Sequence, residues 1–232
     1  IQYFQDILRD AADFKLLVNF HGATLPRGIQ RTFPNHMTSE AVKGFEFITF
    51  TQEAADREAT HSAMLPFTRN LFDPMDFTPM VLGDIPGIER RTSNGFQLAL
   101  PVLFYSGIQH LVTTPEQMRK VPEYVRNYLR QLPGQWDESR FLDGFPGKYV
   151  VIARRAADRW YVAGINAEDL ERDFDLDLSF IDGPPGRIIV DGKNPRTFEQ
   201  HPVSAAETRI KVSPGAGFIM IFDPNRETSN DH

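Results

Sequence analysis

Two carboxylates and one imidazole stand where apolar runs give way to loops. Glu40 lies in Thr38-Ser39-Glu40-Ala41-Val42, and Glu46 sits inside the apolar run Gly44-Phe45-Glu46-Phe47-Ile48. An ionised carboxylate in an apolar strand is costly unless it is paired, bound to a metal or protonated. Placed at the C-terminal end of a barrel-type strand, Glu46 is a candidate general acid. The alternative is that it alternates outward to solvent. His21 and Gly22 follow the run Leu16-Leu17-Val18-Asn19-Phe20, so His21 is either a ligand-contacting group at a strand end or a structural hydrogen-bonding residue. Asp73 and Asp76 fall in the turn-prone stretch from Phe72 to Pro79 and could cap, or bind ligand hydroxyls. His61 is at a possible helix start, and Arg31-Thr32-Phe33-Pro34-Asn35 could form a loop over a pocket.

Other chemistries find little support. The oxygen donors Glu40 and Glu46 suit calcium, whereas the 6 histidines are too scattered for an all-protein zinc cage. The sequence carries no G-x-S-x-G, H-E-x-x-H or P-loop pattern. It has no cysteine, so a disulfide framework and any thiolate nucleophile or metal ligand are excluded. With 31 acidic against 25 basic residues the formal charge is −6, and no basic stripe offers itself to nucleic acid. No run of about 18 apolar residues is present, so no transmembrane helix is expected. At 232 residues and 41% hydrophobic, the chain can build one large core or two small ones. It begins at Ile1 rather than at a methionine or a signal peptide, so the true N-terminus is expected elsewhere.

The elements that must position these residues change character along the chain. Ile1, Phe4, Leu8 and Ala11 recur at helical spacing. The run Leu16–Phe20 predicts a buried parallel strand, with further strands expected over Gly44–Phe50, Phe77–Leu82 and near Gln109–Thr113. Helical stretches fall between them, over Thr60–Leu71 and Phe96–Tyr105. That alternation is α/β. About four strands fit before residue 114, where a closed barrel needs eight over roughly 250 residues, so a half-barrel or a small open sheet is expected. Thr114-Pro115-Glu116-Gln117 starts a helix as N-cap, first-turn proline and capping box. Met118, Val121, Val125, Tyr128, Leu129 and Leu132 give that helix one apolar face, and Pro122 should kink or divide it.

After Trp136 the period becomes two. Strands are expected over Tyr149–Ala153, Trp160–Ile165, Arg187–Val190, Thr208–Val212 and Phe218–Phe222. Phe174, Leu176, Leu178 and Phe180 alternate with Asp173, Asp175, Asp177 and Ser179, as on a sheet with one wet face. These strands read as an antiparallel β-sandwich. The fold class expected is therefore α/β plus all-β, with residues 1–132 in the first part, 133–232 in the second and a polar tail from about Asn225.

Several ordered motifs resemble glycoside hydrolase family 97. They are Asn19-Phe20-His21-Gly22-Ala23, Arg31-Thr32-Phe33-Pro34-Asn35, Glu40 with Gly44-Phe45-Glu46, Leu65-Pro66-Phe67-Thr68-Arg69, and Pro74-Met75-Asp76-Phe77-Thr78-Pro79. Trp136 to Gly144 and Trp160 to Asn166 continue the likeness into the sandwich. The resemblance implies the C-terminal half of a catalytic (β/α)8 barrel followed by a C-terminal antiparallel β-sandwich. It implies that Glu46 is the catalytic acid/base, that Glu40 and Glu46 bind Ca2+, and that His21, with Asp76, contacts the sugar. It further implies a periplasmic or secreted enzyme acting on an α-linked oligosaccharide or galactoside. The N-terminal portion of the same enzyme would complete the barrel, so residues 1–232 alone should be inactive. Inverting members carry a catalytic-base glutamate after the histidine, where this chain has Gly22. That departure resembles the retaining, α-galactosidase-like branch, whose nucleophile is an aspartate upstream. An α-glucosidase of the same family, or a non-catalytic carbohydrate-binding or structural module, are the competing readings. Trp136 and Trp160 would need to be exposed for the latter.

Overall fold

The computed structural model describes residues 1–25, 27–206 and 209–224. The chain opens with α1 (Gln2–Asp13), then β1 (Val18–Phe20) and β2 (His36–Ser39), which pair in parallel. A parallel bridge from Ser39 to Met75, and a bond from the Met75 N–H to the Tyr105 carbonyl, extend this row by two more segments. Helices α2 (Gln52–Asp56), α3 (Glu58–Met64), α4 (Arg69–Phe72) and α5 (Asn94–Leu103) lie between and beside them.

Three of the expected strands are absent, each for a local reason. Residues Phe45–Thr49 form a 3-10 helix, not a strand. A three-residue turn puts Phe45 and Ile48 on one buried face and leaves Glu46 and Phe47 outward. Between Phe77 and Leu82, Thr78 and Met80 both hold positive φ, 52° and 83°, and left-handed residues interrupt an extended ladder. Near Gln109–Thr113 the Val112 N–H reaches the Pro79 carbonyl at 3.0 Å, and Pro79 has no N–H to return the bond. Of the expected buried strand Leu16–Phe20 only Val18–Phe20 forms, half-buried, with Leu16 and Leu17 exposed. A strand the sequence does not suggest, His36–Ser39, is polar yet buried at His36, Thr38 and Ser39. His36 Nε2 meets Ser39 Oγ at 2.7 Å and Ser106 Oγ meets Thr38 Oγ1 at 3.0 Å, so the hydroxyls find partners inside, while His36 Nδ1 is buried without one.

Helices α6 (Pro115–Lys120) and α7 (Glu123–Arg130) are divided at Pro122, as the sequence predicts, and Thr114 Oγ1 caps α6 by accepting from the Gln117 N–H. The antiparallel part then follows as β3 (Glu138–Phe145), β4 (Tyr149–Ala156), β5 (Arg159–Asn166), β6 (Arg172–Asp175), β7 (Gly186–Asp191), β8 (Phe198–Val203), β9 (Arg209–Val212) and β10 (Gly217–Phe222). Strands β3 and β8 add to those the sequence suggests, and Thr208 and the tail from Asn225 lie outside the described residues. Six strands form one sheet in the order β3-β4-β5-β10-β7-β8, and β6 pairs with β9 in a second.

The central strands of the large sheet, β5 and β10, are buried on both faces. Along β10, Phe218, Met220 and Phe222 pack with Phe174, Leu176 and Leu178 beneath the β6–β9 sheet. The alternate residues Ile219 and Ile221 pack instead with Leu98, Val102 and Phe104 at α5. Every residue of α5 is buried, as befits a helix apolar on all sides. Glycines allow the approach: a Cβ on Gly95 would lie 2.4 Å from the Gly217 carbonyl oxygen. Arg154 of β4 caps the other end of α5, donating from Nε to the Val102 carbonyl at 2.6 Å and from Nη2 to the Leu103 carbonyl at 3.2 Å. Tyr128 of α7 is fully buried and donates to the Leu98 carbonyl at 3.0 Å.

Candidate active site

The chemistry-bearing residues gather where the parallel segments end. Asn19 and His21 end β1, Glu40 follows β2, and Asp76 follows the bridged residue Met75. Ala41, with φ 43°, turns the chain sharply after Glu40. Glu46 enters from the 3-10 helix, whose first residue is tied down by the Phe45 N–H bond to the Phe77 carbonyl at 2.8 Å.

Glu40 is buried, at 4% exposure. Its Oε2 accepts from the Gly22 N–H at 2.5 Å, while its Oε1 has no hydrogen-bond partner. His21 Nε2 lies 3.5 Å from that Oε1 and 3.6 Å from Glu46 Oε1. One ligand atom from each of His21, Glu40 and Glu46 falls within 4.8 Å of the others. The two carboxylates thus share one pocket, as the sequence suggests, although Glu46 reaches it from a helical turn and stands half exposed rather than inside a strand. An unpartnered buried oxygen facing a second carboxylate is the donor chemistry of a hard cation.

Asp76 is 2% exposed. Its Oδ2 accepts from Asn19 Nδ2 at 2.5 Å and faces His21 Nδ1 at 3.3 Å. Its Oδ1 faces His110 Nδ1 at 3.2 Å. Partial desolvation pulls the His21 pKa down, but the bond to Asp76 and the charges of Glu40, Asp76 and Glu46 outweigh it, and the net shift is upward. His110 is the site residue that sequence reasoning misses. Its only signal was an imidazole at the start of an expected strand.

Other candidates are placed elsewhere. His61 is half-buried against Phe77, with Nε2 2.9 Å from the Lys43 carbonyl, and burial lowers its pKa. Asp73 gives its carbonyl to Arg69, whose guanidinium also donates to the Ser39 and Pro74 carbonyls. Gly22 holds φ 67°, and a Cβ there would meet nothing within 4 Å. Trp160 is buried at 8% exposure and packs on Phe180, while Trp136 sits edge-on to Tyr161 with 5.4 Å between centroids. Neither offers an open aromatic platform.

A buried carboxylate, a second exposed carboxylate and an imidazole at the ends of parallel segments define a carboxylate-centred site on an α/β scaffold. Residues 1–42 match the family described as glycoside hydrolase 97, and residues 135–223 match the one described as "Glycosyl-hydrolase 97 C-terminal, oligomerisation". The chain belongs to glycoside hydrolase family 97. It is 43% identical over 164 residues to a Streptomyces bingchenggensis protein named "Probable retaining alpha-galactosidase", covering 71% of this chain and 24% of that protein. It is 32% identical over 227 residues to a Bacteroides thetaiotaomicron protein named "Retaining alpha-galactosidase", covering 90% of this chain and 34% of that one. A crystal structure of a beta-arabinopyranosidase superposes with a TM-score of 0.89 at 36% identity, covering 94% of this chain and 36% of that chain. A family 97 enzyme from Pseudoalteromonas sp. strain K8, solved in complex with panose, superposes with a TM-score of 0.82 at 28% identity, covering 95% of this chain and 36% of that chain. The chain therefore spans about a third or less of the length of each of these relatives.

Proposed function

We propose that this chain carries the acid/base side of an exo-acting, retaining α-glycosidase site that hydrolyses α-galactosides. The observation that carries the reading is the cluster at the strand ends. It contains one exposed carboxylate, Glu46, with open space rather than a second base at Gly22. The names of the two curated relatives support the galactoside and the retention of configuration. The parallel row of β1, β2 and Met75, with Tyr105 bonded beside it, is, on this reading, the later half of a (β/α)8 barrel, whose active site lies at the C-terminal strand ends. The antiparallel part is the C-terminal sandwich, dividing from it near residue 133. A periplasmic or secreted location belongs to the same reading.

Glu46 protonates the leaving oxygen while an aspartate outside this chain attacks the anomeric carbon. The glycosyl-enzyme bond forms as the C–O bond to the aglycone breaks. Glu46, now ionised, then takes a proton from the water that releases the sugar. The two carboxyls should lie about 5–5.5 Å apart, against roughly 6.5–9.5 Å for inversion. His21 orients the sugar beside Glu46. Glu40 and Glu46 would hold Ca2+, for which the unpartnered Glu40 Oε1 is suited. Calcium takes 6–8 oxygens, so the remainder would come from water, substrate or other segments. When bound, the ion offsets the repulsion between the two carboxylates and stabilises developing negative charge.

β-L-Arabinopyranosides have the ring configuration of α-galactosides without the exocyclic hydroxymethyl, so the arabinopyranosidase relative is chemically consistent with this substrate class. The test is NMR of the first-formed sugar released by the complete enzyme from an aryl α-galactoside. The α-anomer is expected; an initial β-anomer means inversion and rejects the mechanism.

A further inference from the structure

The buried carboxylate of Asp76 is spent on the protein. Its two oxygens face Asn19, His21 and His110 at 2.5, 3.3 and 3.2 Å, and its side chain is 2% exposed. A carboxylate accepts, so each imidazole nitrogen facing it carries the hydrogen. His110 is thereby oriented with Nδ1–H toward Asp76, and its ring, when neutral, presents Nε2 as an acceptor on its far side, whereas His21 Nε2 faces the carboxylates of Glu40 and Glu46. Burying a carboxylate costs several kcal/mol unless donors repay it; here the donors are two imidazoles and an amide.

His110 is held, not loose. The segment carrying it passes so close to β2 that a Cβ on Gly107 would lie 2.6 Å from the Met37 carbonyl oxygen. Ser106 Oγ donates to the Ile108 carbonyl at 2.5 Å and meets Thr38 Oγ1 at 3.0 Å before it, and the Val112 N–H donates to the Pro79 carbonyl after it. His110 nevertheless keeps 53% of its side chain exposed. Glu46, His21, Asp76 and His110 thus form a continuous row across one end of the parallel segments, through contacts of 3.6, 3.3 and 3.2 Å.

We propose that His110 is a second sugar-contacting residue of this site, accepting a hydroxyl of the bound ring through Nε2, with Asp76 as the positioning residue that orients His21 and His110 together. This rests on the glycosidase reading above. A ring seated with its anomeric oxygen at Glu46 extends past His21, and its far hydroxyls come to His110.

The test uses the complete enzyme with aryl α-galactoside, β-L-arabinopyranoside and α-glucoside, taking as parent the one it cleaves best, together with that sugar's monodeoxy analogues. His110→Ala should lower kcat/KM on the parent by roughly tenfold, and leave unchanged the one analogue that lacks the accepted hydroxyl. His110→Gln, which can still accept, should recover part of the loss. Asp76→Asn, with a single accepting oxygen, should lose at the hydroxyl His110 accepts and, through His21, keep part of its loss on the analogue that lacks it. A loss equal on every analogue, or no loss, overturns the assignment of His110 and leaves the glycosidase reading standing. No turnover of any of the three glycosides by the wild-type enzyme refutes the glycosidase reading, and His110's role with it.

Discussion

The Gly22 N–H donates to Glu40 Oε2 at 2.5 Å, so one oxygen of the buried glutamate is fixed by backbone and the other is left facing His21 without a hydrogen-bond partner. The left-handed φ of 67° at Gly22 aims that N–H. With nothing within 4 Å of its missing Cβ, Gly22→Ala should cost only the conformational penalty, about 1–2 kcal/mol. Chemical denaturation checks this. A loss much above that range would mean that a side chain at this position meets something the open space does not show.

Glu46→Gln should remove both proton transfers. We expect kcat/KM on substrates with poor leaving groups to fall by about 10²–10⁴. Activated aryl glycosides should lose less in the first step, because they need little protonation. Equal loss on both classes would place Glu46 outside acid/base chemistry.

Calcium titrated into the protein and followed by calorimetry should bind weakly to residues 1–232, which supply only two of the carboxylate ligands such an ion takes. Glu40→Gln should abolish that binding. An unchanged isotherm would move the ion elsewhere.

Glu58 gives a pH prediction with a definite sign. Burial outweighs its bonds from Thr92 and Gln97 and the charges of Arg90 and Arg196, so its pKa is raised above the ordinary 4.5. A raised folded pKa contributes stability that is fully present below the unfolded value and is lost as pH rises through the folded one. The stability of wild type relative to Glu58→Gln should therefore increase as pH falls from neutrality toward about 4.5. Thermal unfolding of the two proteins across that window checks it, and a difference independent of pH would contradict it.

Gly95→Ala should push α5 off β10, because the new Cβ would meet the Gly217 carbonyl at 2.4 Å and Asp191 Oδ1 at 3.0 Å. Overpacking of this kind costs about 1–3 kcal/mol, read as a fall in denaturation midpoint. An unaltered midpoint would show that the two backbones can part freely.

What the sequence reveals depends on whether one element dictates its own shape. Strands β4, β5, β7 and β10, α1 and the divided helix at Pro122 were legible, since period, cap and proline act locally. The polar strand His36–Ser39 was not, because its burial depends on Thr38 and Ser39 finding partners in Ser106 and His36. Nor was the 3-10 turn at Phe45–Thr49, where an apolar run fits both strand and helix. Glu40, Glu46 and His21 were visible as residue types beside apolar runs, and motif resemblance gave them roles. His110 was invisible because its partner Asp76 lies 34 positions away.

Because the six-stranded sheet gives alternate side chains of β10 to two different cores, the antiparallel part is no detachable appendage. One of its faces is the floor on which α5 and the barrel-like segments rest. Removing it would strip α5 of the surface on which Leu98 and Val102 pack with Ile219 and Ile221. It behaves as masonry beneath α5, so changes at Gly217, Ile219 or Arg154 disturb that helix while substitutions at exposed positions of β6 and β9 do not reach it.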